Sequence, residues 1–311
     1  TTYGRSSGFC IDPIEKKPLN QFLPGTAVLS FGTAGCNLAC RFCQNWDISK
    51  AREYDVLADQ ASPDRLAVVA QALGCRSIAF TYNDPTIFHE YAIDCARTAQ
   101  AAGIKTVAVT AGYVNPAPRR EFYDHMDAAN IDLKAFTEDF YHRVCAGSLQ
   151  PVLDTLAYVA NQTGVWLEIT TLLIPDLNDS DHEIAAMAKW IVDNLGPSIP
   201  HHFTAFHPDY KMRDRPRTPP ESLTRAREIA LEVGERYVYT GNVHDAQGQT
   251  TYCHVCGEVL IERDWYRLGA WRLDDAGHCM SCGAVCAGVF ESKPGDWGPG
   301  RQPVRLNEWH V

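Results

Sequence analysis

The chain has 311 residues and a net charge of −10, with 45% hydrophobic and 21% charged residues. This composition is typical of a globular protein with a sizeable core, and the acidic balance disfavours wholesale binding to nucleic acid or to an anionic membrane. No stretch approaches the roughly 18 consecutive apolar residues of a membrane span, so neither nucleic acid nor a membrane is an expected partner.

The cysteines are distributed unevenly: three lie at residues 36–43 and five at residues 253–286, so two groups hold eight of the twelve. A small secreted disulfide scaffold spreads its cysteines through a short chain, whereas here they form tight groups in a long one. The first residues, Thr1-Thr2-Tyr3-Gly4, show no signal-peptide pattern. We therefore expect a cytoplasmic protein whose cysteine groups bind metal.

Short apolar runs alternate with helix signals between residues 26 and 240. The helix signals include Ser62-Pro63 and a capping box formed by Ser180 and Glu183. Alternation of this kind predicts a parallel α/β sheet; six units and a final strand indicate a full or partial (β/α) barrel, with a doubly wound sheet as the alternative. The predicted strands lie at 27–31, 77–81, 106–110, 131–134, 165–173, 203–206 and 237–239.

The strand–helix alternation stops after Gly241, which predicts a change of domain. Residues 250–290 combine two cysteine pairs with glycines and short aromatic runs, and the tail is rich in Pro and Gly. The predicted domains are therefore residues 1–245 for the barrel, 246–290 for a small metal-binding module and 291–311 for an extended tail. Trp297 and Trp309 suggest that this tail packs on the rest of the chain.

The first cysteine group spaces Cys36, Cys40 and Cys43 as C-x3-C-x2-C after the first predicted strand. Three such thiolates can bind three irons of a cubane cluster and leave the fourth iron open for a substrate. The alternatives are a disulfide with a spare thiol, a zinc site completed from elsewhere, and core cysteines. The loop position and zinc's usual preference for paired ligands favour the cluster.

The stretch Phe31–Trp46 resembles the signature of radical SAM enzymes. More narrowly, it resembles members of the AmmeMemoRadiSam system, which are relatives of pyruvate formate-lyase activating enzyme. The resemblance runs from about residue 11 to residue 290 and implies a partial (β/α)6 TIM-like barrel of the radical SAM type. Further blocks that fit this family stand at 13–19, 22–25, 82–86, 174–179, 206–210 and 241–245.

The resemblance also implies a 4Fe-4S cluster, S-adenosylmethionine (SAM) and a set of cofactor-binding residues. Asn83 and Asp84 stand where such enzymes bind the methionine amino group, although Asp84 can equally cap the helix that begins at Pro85. Asp132 and Lys134 share one face of the fourth strand. They either pair with each other or contact the ribose and the carboxylate of the cofactor.

Three more residues are candidates for the same pocket. Thr110 ends the third strand, and Glu168 is a lone acid in the fifth, where a buried carboxylate needs a polar partner such as cofactor or substrate. His207 follows the sixth strand, and the resemblance implies a contact with the sugar or adenine side of the cofactor. We expect His201 and His202 at the surface.

The second cysteine group consists of two C-x2-C-G knuckles with 22 residues between them. Four thiolates of this pattern predict a closed tetrahedral site for structural zinc, or for a single iron as in rubredoxin. The module is therefore predicted to be rubredoxin-like or zinc-ribbon-like, and Cys286 is predicted to be buried. The four predicted ligands are Cys253, Cys256, Cys279 and Cys282.

The sequence predicts a radical SAM enzyme that cleaves SAM reductively at the 4Fe-4S cluster. The resulting 5′-deoxyadenosyl radical would abstract hydrogen from an unidentified substrate, with flavodoxin or ferredoxin as the electron donor. One alternative is an activating enzyme that acts on a glycine of a glycyl-radical enzyme. Another is a non-catalytic iron–sulfur or zinc protein that transfers electrons or acts as a scaffold. The resemblance further implies AMMECR1-like and Memo-like proteins as partners.

Overall fold

The computed structural model describes residues 3–6, 8–50 and 59–308. The strands are β1 (Arg5–Ser6), β2 (Phe9–Pro13), β3 (Ala27–Phe31), β4 (Asp59–Gln60), β5 (Ser77–Phe80), β6 (Lys105–Thr110), β7 (Ala128–Asp132), β8 (Trp166–Leu173), β9 (His201–Ala205), β10 (Val238–Gly241), β11 (Thr251–Tyr252), β12 (Val259–Asp264), β13 (Arg267–Trp271) and β14 (Gln302–Val304). The helices are α1 (Trp46–Ser49), α2 (Pro63–Ala72), α3 (His89–Ala101), α4 (Pro116–Tyr123), α5 (Glu138–Phe140), α6 (Gln150–Gln162), α7 (Asp181–Leu195), α8 (Pro220–Val233) and α9 (Ala246–Gln249).

The main sheet has the strand order β10-β9-β8-β7-β6-β5-β3-β2-β14. From β3 to β10 every pairing is parallel, which confirms the predicted parallel α/β sheet. Strands β2 and β14 extend the β3 side with antiparallel pairings. The carboxyl ends of the parallel strands therefore lie along one edge, where ligands bind in folds of this type.

The observed strand bounds differ from the predicted ones by one to three residues in every predicted strand but the first. The first strand coincides with β3, whereas β7 ends at Asp132, so Lys134 lies in the loop that follows. Strand β9 begins at His201 because the His201 N–H donates to the carbonyl of Tyr237 at 2.9 Å. The prediction that His201 and His202 lie at the surface is wrong, since both side chains are buried in the sheet.

A second sheet of three antiparallel strands, β11-β12-β13, forms the core of the C-terminal segment. Arg263 on β12 is 1% exposed and donates a hydrogen bond to the carbonyl of Asn20, which ties this sheet to the N-terminal segment. Further along, β14 pairs with β2. Residues 309–311, which include Trp309, lie outside the described residues.

Apolar side chains fill the space between the main sheet and its helices. Phe31 on β3 packs against Phe80 on β5 and Tyr91 on α3, with ring centroids 5.6 Å apart in both pairs. The isolated cysteines Cys75, Cys95 and Cys145 are buried, as predicted. In the part of the chain that the structure describes, no helix has the length and apolarity needed to cross a bilayer.

Candidate active site

A cavity of about 420 Å³ opens where the parallel strands end. Its lining unites the three thiols of the first cysteine group with polar side chains from the carboxyl ends of β6 and β7 and from the loops after β5 and β7. It therefore brings together most of the residues predicted to bind the cofactor. These lining residues are Cys36, Cys40, Cys43, Asn83, Asp84, Thr110, Asp132 and Lys134.

The cysteine loop is held by backbone hydrogen bonds to a π-helical turn at Tyr141–Cys145. The Ala39 N–H donates to the carbonyl of Cys145, and the Arg41 N–H to that of Val144, both at 2.9 Å. These bonds fix the backbone on both sides of Cys40. Sequence reasoning missed this support, because only the fold brings the turn to the loop.

Asn83 anchors the start of the cysteine loop. Its side-chain oxygen accepts from the Thr33 N–H at 3.2 Å, and its amide nitrogen donates to the carbonyl of Gly35 at 2.9 Å. The loop passes so close that a Cβ on Gly32 would lie 2.5 Å from Oδ1 of Asn83. Only glycine fits there, so Asn83 positions the loop that carries Cys36.

Asp84 joins the loops that follow β5 and β6. One oxygen accepts from the Thr86 N–H at 3.0 Å and caps the turn that begins at Pro85. The other accepts from the Thr110 hydroxyl at 2.9 Å and the Ala111 N–H at 2.8 Å. The capping alternative is thus confirmed, while the carboxylate still lines the cavity.

Asp132 and Lys134 form an ion pair on the cavity wall, with Nζ 2.8 Å from Oδ2. Burial opposes the charge on Lys134, but Asp132 and the nearby Cys40 outweigh it and raise its pKa well above the usual range. Lys134 is therefore a fixed cation inside the cavity. Pairing does not remove these groups from the wall, so a role toward a carboxylate and hydroxyls stays open to them.

The three thiols of the cysteine loop do not form a compact site of the single-ion kind. The sulfurs of Cys36, Cys40 and Cys43 are not among the described ligand groups that lie within 4.8 Å of one another. A hydrogen bond from the Cys145 thiol lowers the pKa of the Cys40 thiol despite its burial, which favours the thiolate form that binds iron.

Glu168 does not line the cavity, and its expected contact with cofactor or substrate is corrected to a structural role. The carboxylate is fully buried and accepts hydrogen bonds from four protein donors. A carboxylate with this many partners has little capacity left for a ligand. The donors are the N–H groups of Asn20 (2.9 Å) and Gln21 (2.8 Å), Nε1 of Trp166 (3.0 Å) and Nε2 of His202 (2.6 Å).

His207 lies outside the cavity lining on an exposed loop. Its Nδ1 is 2.9 Å from Nε2 of Gln44, the residue after Cys43. Nearby, the rings of Trp46 and Tyr210 stack with centroids 5.7 Å apart. His207 therefore contacts the cysteine loop from outside, and its contact with the cofactor stays a prediction.

The second cysteine group forms a compact tetrad in which Cys253, Cys256, Cys279 and Cys282 have sulfurs within 4.8 Å of one another. The Cys253–Cys282 and Cys256–Cys279 sulfurs are 3.6 and 3.7 Å apart. Four sulfurs at about 2.3 Å from a tetrahedral zinc would lie about 3.8 Å apart. The tetrad therefore fits one tetrahedral ion, and the distances suit zinc and iron alike. Cys286 is buried beside it, as predicted.

Comparison with known proteins connects this geometry to a family. The radical SAM superfamily model matches residues 31–190. An uncharacterized protein from Methanocaldococcus jannaschii is 40% identical over 282 residues, which are 90% of this chain and 84% of the relative. A candidate glycyl-radical enzyme activating enzyme from the same organism is 24% identical over 205 residues, or 64% of this chain and 75% of that protein.

A solved radical SAM methyltransferase from Sphaerobacter thermophilus shares the fold. Its TM-score is 0.56 at 16% identity, and the match covers 73% of this chain and 71% of that one. The family model spans the cysteine loop and the strands that form most of the cavity. The chain therefore belongs to the radical SAM superfamily and is a SAM-dependent enzyme that binds an iron–sulfur cluster.

Proposed function

We propose that this enzyme cleaves SAM reductively in the 420 Å³ cavity and abstracts hydrogen from an unidentified substrate. The observation that carries the proposal is that three thiols and five polar side chains predicted to bind the cofactor line one cavity. A bound 4Fe-4S cluster supplies the electron that breaks the C–S bond of SAM and yields the 5′-deoxyadenosyl radical.

In this proposal, different side chains of the cavity bind different groups of the two cofactors. Cys36, Cys40 and Cys43 hold the cluster, and Asp84, whose hydrogen-bond donors are all uncharged, offers negative charge to the methionine ammonium. Lys134 offers positive charge to the carboxylate, and Asp132 accepts from the ribose hydroxyls. Asn83 and Thr110 act mainly by positioning the loops that carry these groups.

The C-terminal tetrad binds zinc in this proposal, with a single iron as the alternative. A closed four-thiolate site contributes folding free energy and keeps no open position for a substrate. We take the module as zinc-ribbon-like and the open parallel sheet as a partial (β/α)6 barrel. Reduced, metal-binding cysteines favour the cytoplasm as the compartment of this enzyme.

The AmmeMemoRadiSam system is the proposed subgroup, with AMMECR1-like and Memo-like proteins as partners and a flavodoxin or ferredoxin as electron donor. The support is the residue pattern from Phe31 to Trp46 and in the blocks that follow. The 24% identity to a candidate glycyl-radical enzyme activating enzyme favours a second candidate, in which the substrate is a glycine of a partner protein.

The test of the proposal is the formation of 5′-deoxyadenosine. Anaerobically reconstituted protein is mixed with dithionite and SAM, and the products are separated by liquid chromatography. We expect 5′-deoxyadenosine and methionine from the wild type and neither from Cys40→Ala. A protein with an intact cluster that forms no product at any reductant strength would overturn the proposal.

A further inference from the structure

One part of the cavity wall carries more positive than negative charge. Lys16 and Lys17 both line the cavity. Their Nζ atoms lie 2.9 and 2.7 Å from the two oxygens of Asp12, and the hydroxyl of Tyr82 donates to the same carboxylate at 2.9 Å. A single carboxylate thus serves two ammonium groups.

No second acid balances this pair within the described residues. Asp12 is the one partner that either lysine has in an ion pair there. Glu15, the residue before Lys16, accepts from the Gly25 N–H at 2.7 Å and has Arg263 as its cationic neighbour. Arg301 even adds positive charge near Asp12, through its contact with Cys10.

The excess charge lies where an anion would gain most from it. The side chain of Lys17 is 3% exposed, and its burial lowers its pKa to about 8. Charges removed from water interact more strongly than surface charges. Each ammonium has three N–H donors and uses one on Asp12, so donors remain for a ligand.

Two tyrosines complete this part of the wall. Tyr82 has a φ of 71°, an uncommon conformation for an aromatic residue. The centroid of its ring lies 4.7 Å from Nζ of Lys17. Tyr266, from the turn between β12 and β13, also lines the cavity. Among the described residues its hydroxyl has no hydrogen-bond partner, so it can donate to a ligand.

The other cation of the cavity, Lys134, already has Asp132 as its partner and is assigned to the carboxylate of SAM. We propose that Lys16, Lys17 and Tyr266 form a subsite for an anionic group of the substrate, a carboxylate or a phosphate. We call these three residues the anion subsite. The inference rests on the proposed function, because it assigns the substrate's part of the SAM cavity.

Direct binding of small anions tests the anion subsite. Inorganic phosphate and, separately, acetate are titrated into the reconstituted, oxidised protein saturated with SAM, and heat is recorded by calorimetry. Lys16 is the residue to change, because its side chain is 35% exposed and its loss leaves the buried Asp12–Lys17 pair intact. We expect Lys16→Gln to weaken binding of the better anion about tenfold and Lys16→Arg to restore it.

Lys189→Gln is the matched control, since Lys189 pairs with Asp193 on the exposed face of α7. It removes the same charge and should leave anion affinity unchanged. The inference is overturned if neither anion binds, or if Lys16→Gln and Lys189→Gln weaken anion binding equally. It is also overturned if Lys16→Gln weakens SAM and spares the anions, because the lysines would then serve the cofactor.

The two proposals fail in different ways. Formation of 5′-deoxyadenosine without anion binding would remove the anion subsite and leave the radical SAM function in place. Anion binding without formation of 5′-deoxyadenosine would instead remove the proposed function.

Discussion

Glu168 is fully buried and accepts hydrogen bonds from the N-terminal segment, from its own strand and from β9. Replacement by Ala would leave four buried donors without an acceptor. We expect Glu168→Ala to lower the free energy of unfolding by about 3–5 kcal/mol, measured by urea denaturation, and Glu168→Gln by less. Formation of 5′-deoxyadenosine per folded molecule should stay near the wild-type value. A stable Glu168→Ala protein that cannot bind SAM would show instead that Glu168 belongs to the cofactor site.

His202 makes the same buried cluster sensitive to acid. Burial lowers its pKa below 6.5 despite the nearby Glu168, so below pH 6.5 the unfolded chain binds a proton more readily than the folded one. Stability should therefore fall as the pH drops through this range. Thermal unfolding between pH 7.5 and 5.5 measures the effect, and His202→Gln should flatten the dependence. An equal slope in both proteins would contradict it.

The loops after β5 and β6 are joined by Asp84, which makes it a link between elements as well as a cap. Asp84→Asn keeps an oxygen that can cap the turn but places an amide donor where Oδ2 accepts two hydrogen bonds, whereas Ser180→Ala removes the cap of α7. Each change should cost about 1 kcal/mol of stability. Ser180 caps α7 and does not line the cavity, so it is the matched control. We expect Asp84→Asn alone to weaken SAM binding, measured by equilibrium dialysis. Equal SAM affinity in the two variants would show that Asp84 only caps.

At this scale the sequence predicts elements well where local signals decide them. The apolar run at 27–31 and the capping Ser180 both correspond to observed bounds. Predictions fail where contacts between distant segments determine the structure. The start of β9 depends on a backbone hydrogen bond to Tyr237. The structural role of Glu168 depends on four hydrogen-bond donors from three separate segments. The spacing of the cysteine motif predicts that it binds a cluster. The π-helical turn that supports the motif could not be predicted, because only the fold brings Tyr141–Cys145 next to the cysteine loop.

The whole molecule connects its two metal sites through the cavity wall. The segment that carries the tetrad also supplies Tyr266 to the cavity, and Arg263 ties it to Asn20. We expect Cys253→Ala to release the tetrad's metal, lower the thermal midpoint and weaken phosphate binding, while the iron–sulfur absorbance persists. Metal analysis, calorimetry and visible spectra check these outcomes. Loss of the iron–sulfur absorbance in Cys253→Ala would contradict the assignment of the cluster to Cys36, Cys40 and Cys43 alone.

The central claim is that Cys36, Cys40 and Cys43 hold a cluster whose open iron takes SAM in this cavity. Electron paramagnetic resonance of the dithionite-reduced protein, with and without SAM, tests it most directly. We expect a signal that SAM shifts in the wild type and in Cys253→Ala, and no cluster signal in Cys40→Ala. A wild-type signal that SAM leaves unchanged, or one that persists in Cys40→Ala, would contradict it.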